Sequence, residues 1–129
     1  MTQPGVEGAW SVQDIIAHIA WHEREMIGIL QARALVGSPW WELPTDARNA
    51  AIYAENRDGA PADVMAEENQ IFTALTDQLE TLTDADVADP SRYRDMPADW
   101  VPGDLFAQNT YEHYAQHIPP LRAWLAAQG

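Results

Sequence analysis

The sequence predicts an all-α protein, a single antiparallel helical bundle. Three observations carry that prediction. Apolar residues recur at helical spacing in long stretches near both ends, no run of alternating β-branched residues occurs anywhere, and the periodic stretches are bounded by residues that start and stop helices.

The first helix is announced by Ser11, with Asp14 three residues later. This approximates a capping box and puts a carboxylate near the positive helix end. Ile15, Ile19, His22, Met26 and Ile29 then repeat at helical spacing, with Ile16 and Leu30 beside them, until Gly37 and Pro39 stop the run. The connection Ser38-Pro39-Trp40-Trp41-Glu42-Leu43-Pro44 is too rich in proline to continue a helix, and two adjacent indoles are costly to leave in water. A second, shorter helix is expected from about Asp46 to Asn56, with Asn49, Tyr53 and Asn56 on one face. Asp58-Gly59-Ala60 breaks it, and Pro61 suits the first position of a third helix. Val64, Ile71, Leu75, Leu79 and Leu82 form its apolar stripe, and Glu68 falls within that stripe. Thr83 with Asp86 reads as another cap over a short acidic turn, and residues 90–103 read as a loop. The last helix is expected from near Pro102, with Phe106, Thr110, His113 and His117 inward and a kink or restart at Pro119-Pro120.

Length and composition bound the function. A chain of 129 residues with 47% apolar residues suits one domain with a real core, expected over residues 10–129 behind a flexible segment at 1–9. Seven Arg and no Lys stand against 20 acidic residues, a net charge of −13, which disfavours nucleic acid and anionic membranes as partners. The absence of cysteine removes disulfides, thiolate metal sites and cysteine nucleophiles. Apolar stretches are short and interrupted by charge, so neither a membrane span nor a signal peptide is visible, and a cytoplasmic location is expected.

All four histidines fall in two pairs of i, i+4 spacing, His18 with His22 and His113 with His117. That spacing stacks side chains one above the other, so each pair can aim both rings at one point between helices. Two such helices can build a nitrogen-rich site in a bundle core, suited to Zn, Ni, Cu or Fe. The alternative is a set of partly buried histidines bonded to carboxylates or carbonyls. Glu23 and Glu112 adjoin histidines and are therefore expected on the solvated face, whereas Glu68 occupies an apolar slot. Asn109 and Thr110, one turn before His113, are candidates for orienting a substrate. Trp10, Trp21, Trp100 and Trp124 are expected in the core, and Trp40 and Trp41 at a pocket rim.

At Trp10-Ser11-Val12 followed by His18, and at Asn109-Thr110-Tyr111-Glu112-His113-Tyr114 with Leu121-Arg122 downstream, the chain resembles the DinB-like superfamily of up-down-down-up four-helix bundles. The stretch from Asn49 to Arg57 and the Asn-Thr pair are similar to its ClbS/DfsB branch. The resemblance covers Trp10 to Leu125. It implies a divalent-metal site of three histidines, in which His18 matches the first ligand and His113 the last. Asn109 falls at the remaining ligand position, so His117 or His22 would have to supply the missing nitrogen. The family usually places another long helix before the Trp-Ser motif, and Pro4, Gly5 and Gly8 prevent residues 1–9 from forming it. A neighbouring subunit that supplies the missing wall would make the protein a homo-oligomer.

The expectation is therefore a DinB/DfsB-like protein with a His-lined pocket that acts on or sequesters a small electrophilic molecule, in stress response or self-protection. If it is an enzyme, it is a hydrolase or thiol transferase. His18, Asn109 and His113 are the catalytic candidates, and His18, His113 and His117 the candidate ligands for Zn or Ni. His22, Trp40, Trp41, Tyr53, Glu68 and Thr110 are expected around the substrate. The alternative is a non-catalytic binding or oligomerisation module with structural histidines.

Overall fold

The computed structural model describes residues 2–128, and among them helices account for the architecture. Helix α1 spans Val12–Ala32. Its start is fixed as the sequence predicts: the Asp14 backbone N–H donates to Ser11 Oγ at 3.2 Å, and the Ser11 backbone N–H to Asp14 Oδ2 at 2.8 Å. It stops at Arg33, in the left-handed region at φ 49°, a few residues before Gly37. Helix α2 covers Thr45–Asn56 and α3 covers Pro61–Glu80, with Pro61 in the first turn, where its missing N–H costs nothing. Helix α4, Asp84–Ala88, follows a second reciprocal box between Thr83 and Asp86. Pro102–Gln108 forms α5 and Tyr111–Gln128 forms α6.

Two of these boundaries correct the sequence reading. The last helix was expected to be continuous from Pro102 and to falter at Pro119-Pro120. It breaks instead at Asn109 and Thr110, and α6 runs through both prolines. The cause of the break is local side-chain bonding: the Thr110 hydroxyl donates to the Phe106 carbonyl at 2.7 Å, and Asn109 Nδ2 to the Leu105 carbonyl at 2.9 Å. Such bonds compete with the backbone ladder.

Cross-contacts fix the directions. Gln13 donates to the carbonyl of Gly59, Arg24 pairs with Glu67, and Met26, Ile29 and Leu30 pack with Leu75, so α1 and α3 run the same way. On α6 the order reverses, with Asn109 meeting His22 and His117 lying beside His18. The three long helices thus include one parallel pair, α1 with α3, and one antiparallel pair, α1 with α6.

The core joins Met26, Ile29, Leu30 and Leu75 to Tyr93 and Phe106, whose rings meet edge to face at 5.8 Å. The Tyr93 hydroxyl donates to the Asp86 carbonyl at 2.9 Å. Asp86 in turn receives Arg33 at 2.8 Å and Arg92 at 3.2 Å. The Thr83 backbone N–H foremost, then Arg33 and the Thr83 hydroxyl, hold its carboxyl down at about 2. This clamp ties α4 to the end of α1. Before α1, Gly8 at φ 58° turns the chain back, so that Val6 N–H reaches the Trp10 carbonyl at 2.9 Å and Val6 is buried.

The facing surfaces of α1 and α3 are covered: Ile15, Met26 and Leu75 are each at most 1% exposed, and Ile19 and Leu79 are partly buried. Apolar exposure lies elsewhere, at Met65 and Phe72 on α3 and at Tyr111, Ile118 and Leu125 on α6.

Thr83→Ala removes the acceptor for one of α4's unpaired N–H groups. It is expected to lower unfolding free energy by about 1 kcal/mol, measured by urea denaturation, with the α1 signal intact.

Candidate metal centre

Each histidine pair spans one helical turn, and the antiparallel crossing of α1 and α6 brings the two pairs together. All four rings are buried. His18 Nε2 stands 2.9 Å from His113 Nε2, and His117 Nε2 stands 3.0 Å from the same His113 atom. Donor atoms of His18, His22 and His113 all lie within 4.8 Å of one another.

One ring nitrogen cannot satisfy two such neighbours well. His113 Nε2 carries either one proton or one lone pair, directed in the ring plane, yet two other nitrogens approach it. The Nδ1 atoms of His18 and His113 are buried with no partner at all. A cation among the Nε2 atoms would accept several lone pairs at once, and imidazoles around a tetrahedral ion at ~2.0–2.1 Å stand only about 3.3 Å apart. The donor set therefore fits a borderline divalent ion.

Two residues hold rings from behind. Because Asn109 donates its amide N–H to the Leu105 carbonyl, its Oδ1 is the atom that faces His22 Nδ1, at 2.9 Å, and accepts from it. The neutral His22 ring thus keeps its proton on Nδ1 and its lone pair on Nε2. Glu7 Oε1 accepts in the same way from His117 Nδ1 at 2.7 Å. Carboxylate or amide behind an imidazole is the arrangement that orients metal-ligating histidines.

Electrostatics keeps three rings neutral. Burial is the main cause, and the neighbouring rings and Arg48 add to it: His18 is pushed down to about 2 and His22 to about 4, with Asn109 opposing the shift at His22. Burial with His22 and His117 lowers His113 to about 3. Neutral imidazole is the form that donates to a metal.

Aromatic rings wall the cluster. Trp10 lies 5.0 Å from His18 and stacks on Tyr53 at 6.4 Å, while Trp21 and Trp41 approach His22 at 4.9 and 5.4 Å. Arg48 sits over Trp41 at 5.0 Å.

The sequence-predicted residues distribute as follows. His18, His22, His113 and His117 come together: His22 shares a group of three with His18 and His113, and His117 Nε2 lies 3.0 Å from His113 Nε2. Asn109 supports His22 instead of occupying a ligand position. Thr110, expected to face a substrate, is spent on the Phe106 carbonyl. Trp40 packs over Trp21 at 6.3 Å, one layer outside the rings. Tyr53 is separated from His18 by Trp10. Glu68 meets Glu23, and this corrects the reading of Glu23 as solvated: it is 0% exposed, with the Tyr114 hydroxyl donating to its Oε2 at 2.6 Å. Burial, then the hydrogen bond with Glu23, raises the Glu68 carboxyl to about 9, and the same neighbourhood raises Tyr114. Glu112 is exposed, as expected. Trp100, expected in the core, is 41% exposed. Glu7 is the site residue that sequence reasoning missed: it lies in a Gly-rich turn 110 positions from its partner, and no local pattern marks it.

Two facing helices that each present an i, i+4 histidine pair thus build a group of histidines that could hold a metal ion. The family model of the DinB superfamily matches residues 1–118, and the chain belongs to that superfamily. No curated protein and no solved structure matches it. No helix among the described residues is long and apolar enough to cross a membrane.

Two pH effects follow. The unfolded chain protonates its histidines near 6.5 whereas the native rings of His22 and His113 resist protonation to about 4 and 3. The metal-free protein is thus expected to lose stability as pH falls from 6.5 toward 4, seen as a falling melting temperature. Glu68 works in the opposite sense, because its native carboxyl holds a proton from 4.5 up to about 9. Its contribution is fully present below 4.5 and shrinks as pH rises toward 9. Glu68→Gln, which keeps the hydrogen-bonding amide without the charge, is expected to raise the melting temperature more at pH 9 than at pH 5. A uniform shift at both would contradict a Glu68 carboxyl held protonated in the native state.

Proposed function

We propose that the protein holds a divalent ion, Zn or Ni, in its histidine cluster and acts on or sequesters a small electrophilic molecule, in the manner of the ClbS/DfsB branch of its superfamily. The observation that carries this reading is the convergence of His18, His113 and His117 through Nε2, with His22 in the same group. The α2 sequence from Asn49 to Arg57 supports the branch assignment.

His18 and His113 are ligands in this reading, and His117 or His22 supplies the third nitrogen. Glu7 and Asn109 keep His117 and His22 turned so that Nε2 faces inward. Trp10, Trp21 and Trp41 exclude bulk water, which keeps the rings neutral and sharpens any electrostatic interaction inside. A bound ion would supply Lewis acidity toward an electrophile or its attacking partner. A ring not engaged as a ligand can accept or return a proton. In this reading the protein works in the cytoplasm.

The same proposal includes a homo-oligomer. Tyr111, Ile118 and Leu125 recur at seven-residue spacing on α6 and are exposed, as are Met65 and Phe72 on α3. Stripes of this kind suit a helix from a second copy. Light scattering at micromolar concentration is expected to give at least twice the 14.4 kDa chain mass, and a monomeric mass would contradict it.

For the metal, calorimetric titration with Zn and Ni at pH 7.5 is expected to show one ion per chain. His113→Ala should abolish binding, and Asn109→Ala should weaken it by about ten- to a hundredfold through loss of ring orientation. No binding by the native protein, with thermal stability unchanged by either ion, would sink the proposal.

A further inference from the structure

One cavity of the molecule does not open on the histidines. It encloses about 430 Å³ against the C-terminal half of α1 and is walled by Met26, Ile29, Leu35, Trp41, Trp100 and Leu105. That volume lies in the range of small-molecule sites, which are apolar with few polar groups. Among the charged residues only Glu42 lines it, and no cationic side chain does. A second recess of about 310 Å³ shares Trp100 and Leu105 with it and adds Asp99 and Asp104. The two spaces therefore pair an apolar, indole-walled chamber with an acidic annexe, with Trp100 between them and 41% exposed.

We propose that this chamber is a binding site for an organic cation with an apolar body, a substituted ammonium in which the apolar part sits against Trp41, Met26 and Leu35 and the charge faces Trp100 and the carboxylates. The site is distinct from the histidine cluster, and the proposal does not rest on the metal reading. Its chemical logic is complementarity. An indole face attracts a cation through the ring quadrupole, and a weakly hydrated quaternary ammonium loses little by leaving water. Glu42, Asp99 and Asp104 add attraction of the same sign and disfavour an anionic ligand near Trp100.

The wall is held in place by specific contacts. Trp41 Nε1 donates to Glu25 Oε1 at 2.9 Å, and the same oxygen accepts from the Ser38 backbone N–H at 2.5 Å. Gly37 makes this possible: a methyl at that position would come within 2.9 Å of the Trp41 indole and 3.1 Å of Glu25 Oε1. The indole that closes one side of the chamber therefore depends on a residue without a side chain.

The test uses three matched probes on the full chain, phenyltrimethylammonium, its neutral isostere tert-butylbenzene, and benzoate. Affinities are read by tryptophan fluorescence and by chemical-shift mapping at physiological salt, where diffuse attraction to a polyanion is screened. Phenyltrimethylammonium is expected to bind about tenfold tighter than tert-butylbenzene, with benzoate weakest, and to shift the Trp100 and Trp41 indole N–H signals. Trp100→Ala, at a half-exposed position that the fold tolerates, should reduce the cation to the level of the neutral probe. The combined Asp99→Asn, Asp104→Asn variant should do the same, while Asp77→Asn on distant α3 changes nothing. Gly37→Ala should weaken both apolar probes together. Equal affinity for the cation and its isostere, shifts confined to other residues, or an equal loss in Asp77→Asn would each overturn the proposal.

Discussion

The structure turns on burying four imidazoles in one seam with no opposing charge at their centre. Solvent loss makes protonation unfavourable, and the rings must then solve a hydrogen-bonding problem that protons alone solve poorly, because three Nε2 atoms point at one another. The surrounding architecture answers that constraint. The capped start of α1 sets the angular position of His18 and His22. The break at Asn109 ends α5 and frees its amide to hold His22. The N-terminal turn at Gly8 brings Glu7 back to His117.

The same two helices carry a second polar cluster one residue further along. Glu23 follows His22, and Tyr114 follows His113, and the helical advance of about 100° per residue turns them to a different face. There the Tyr114 hydroxyl donates to Glu23, and burial beside Glu23 keeps the Glu68 carboxyl protonated into the alkaline range. His18, His22 and His113 resist gaining a proton, whereas Glu68 resists losing one. Their opposed pH dependences place best stability between the acid range of the histidines and the alkaline range of Glu68.

Much of this was legible in the sequence because helix starts and ligand spacing are local. Ser11 with Asp14, Pro61, and Thr83 with Asp86 begin helices where their side chains require it, and the i, i+4 histidines predict their own convergence. What the sequence could not show depends on partners far along the chain. Glu23 reads as solvated beside His22, and only the packing of α3 and α6 buries it. Trp100 reads as core but stands at a cavity rim. Pro119 and Pro120 read as the weak point of the last helix, yet the bonds of Thr110 and Asn109 to carbonyls one turn back decide where the chain breaks. Glu7 carries no signal, since its role exists only once the N-terminal turn has closed against α6.

The central claim is that the centre is preset before any ion arrives, with His22 and His117 turned by Asn109 and Glu7. Long-range ¹⁵N correlation spectra of histidine-labelled, metal-free protein at pH 7 read this directly. The account predicts a proton on Nδ1 of both rings, and His18, His22 and His113 neutral. Removing Asn109 should redistribute the His22 proton between its two nitrogens. Imidazolium signals for His18 or His113, or a proton on Nε2 rather than Nδ1 of His22 in the native protein, would contradict it.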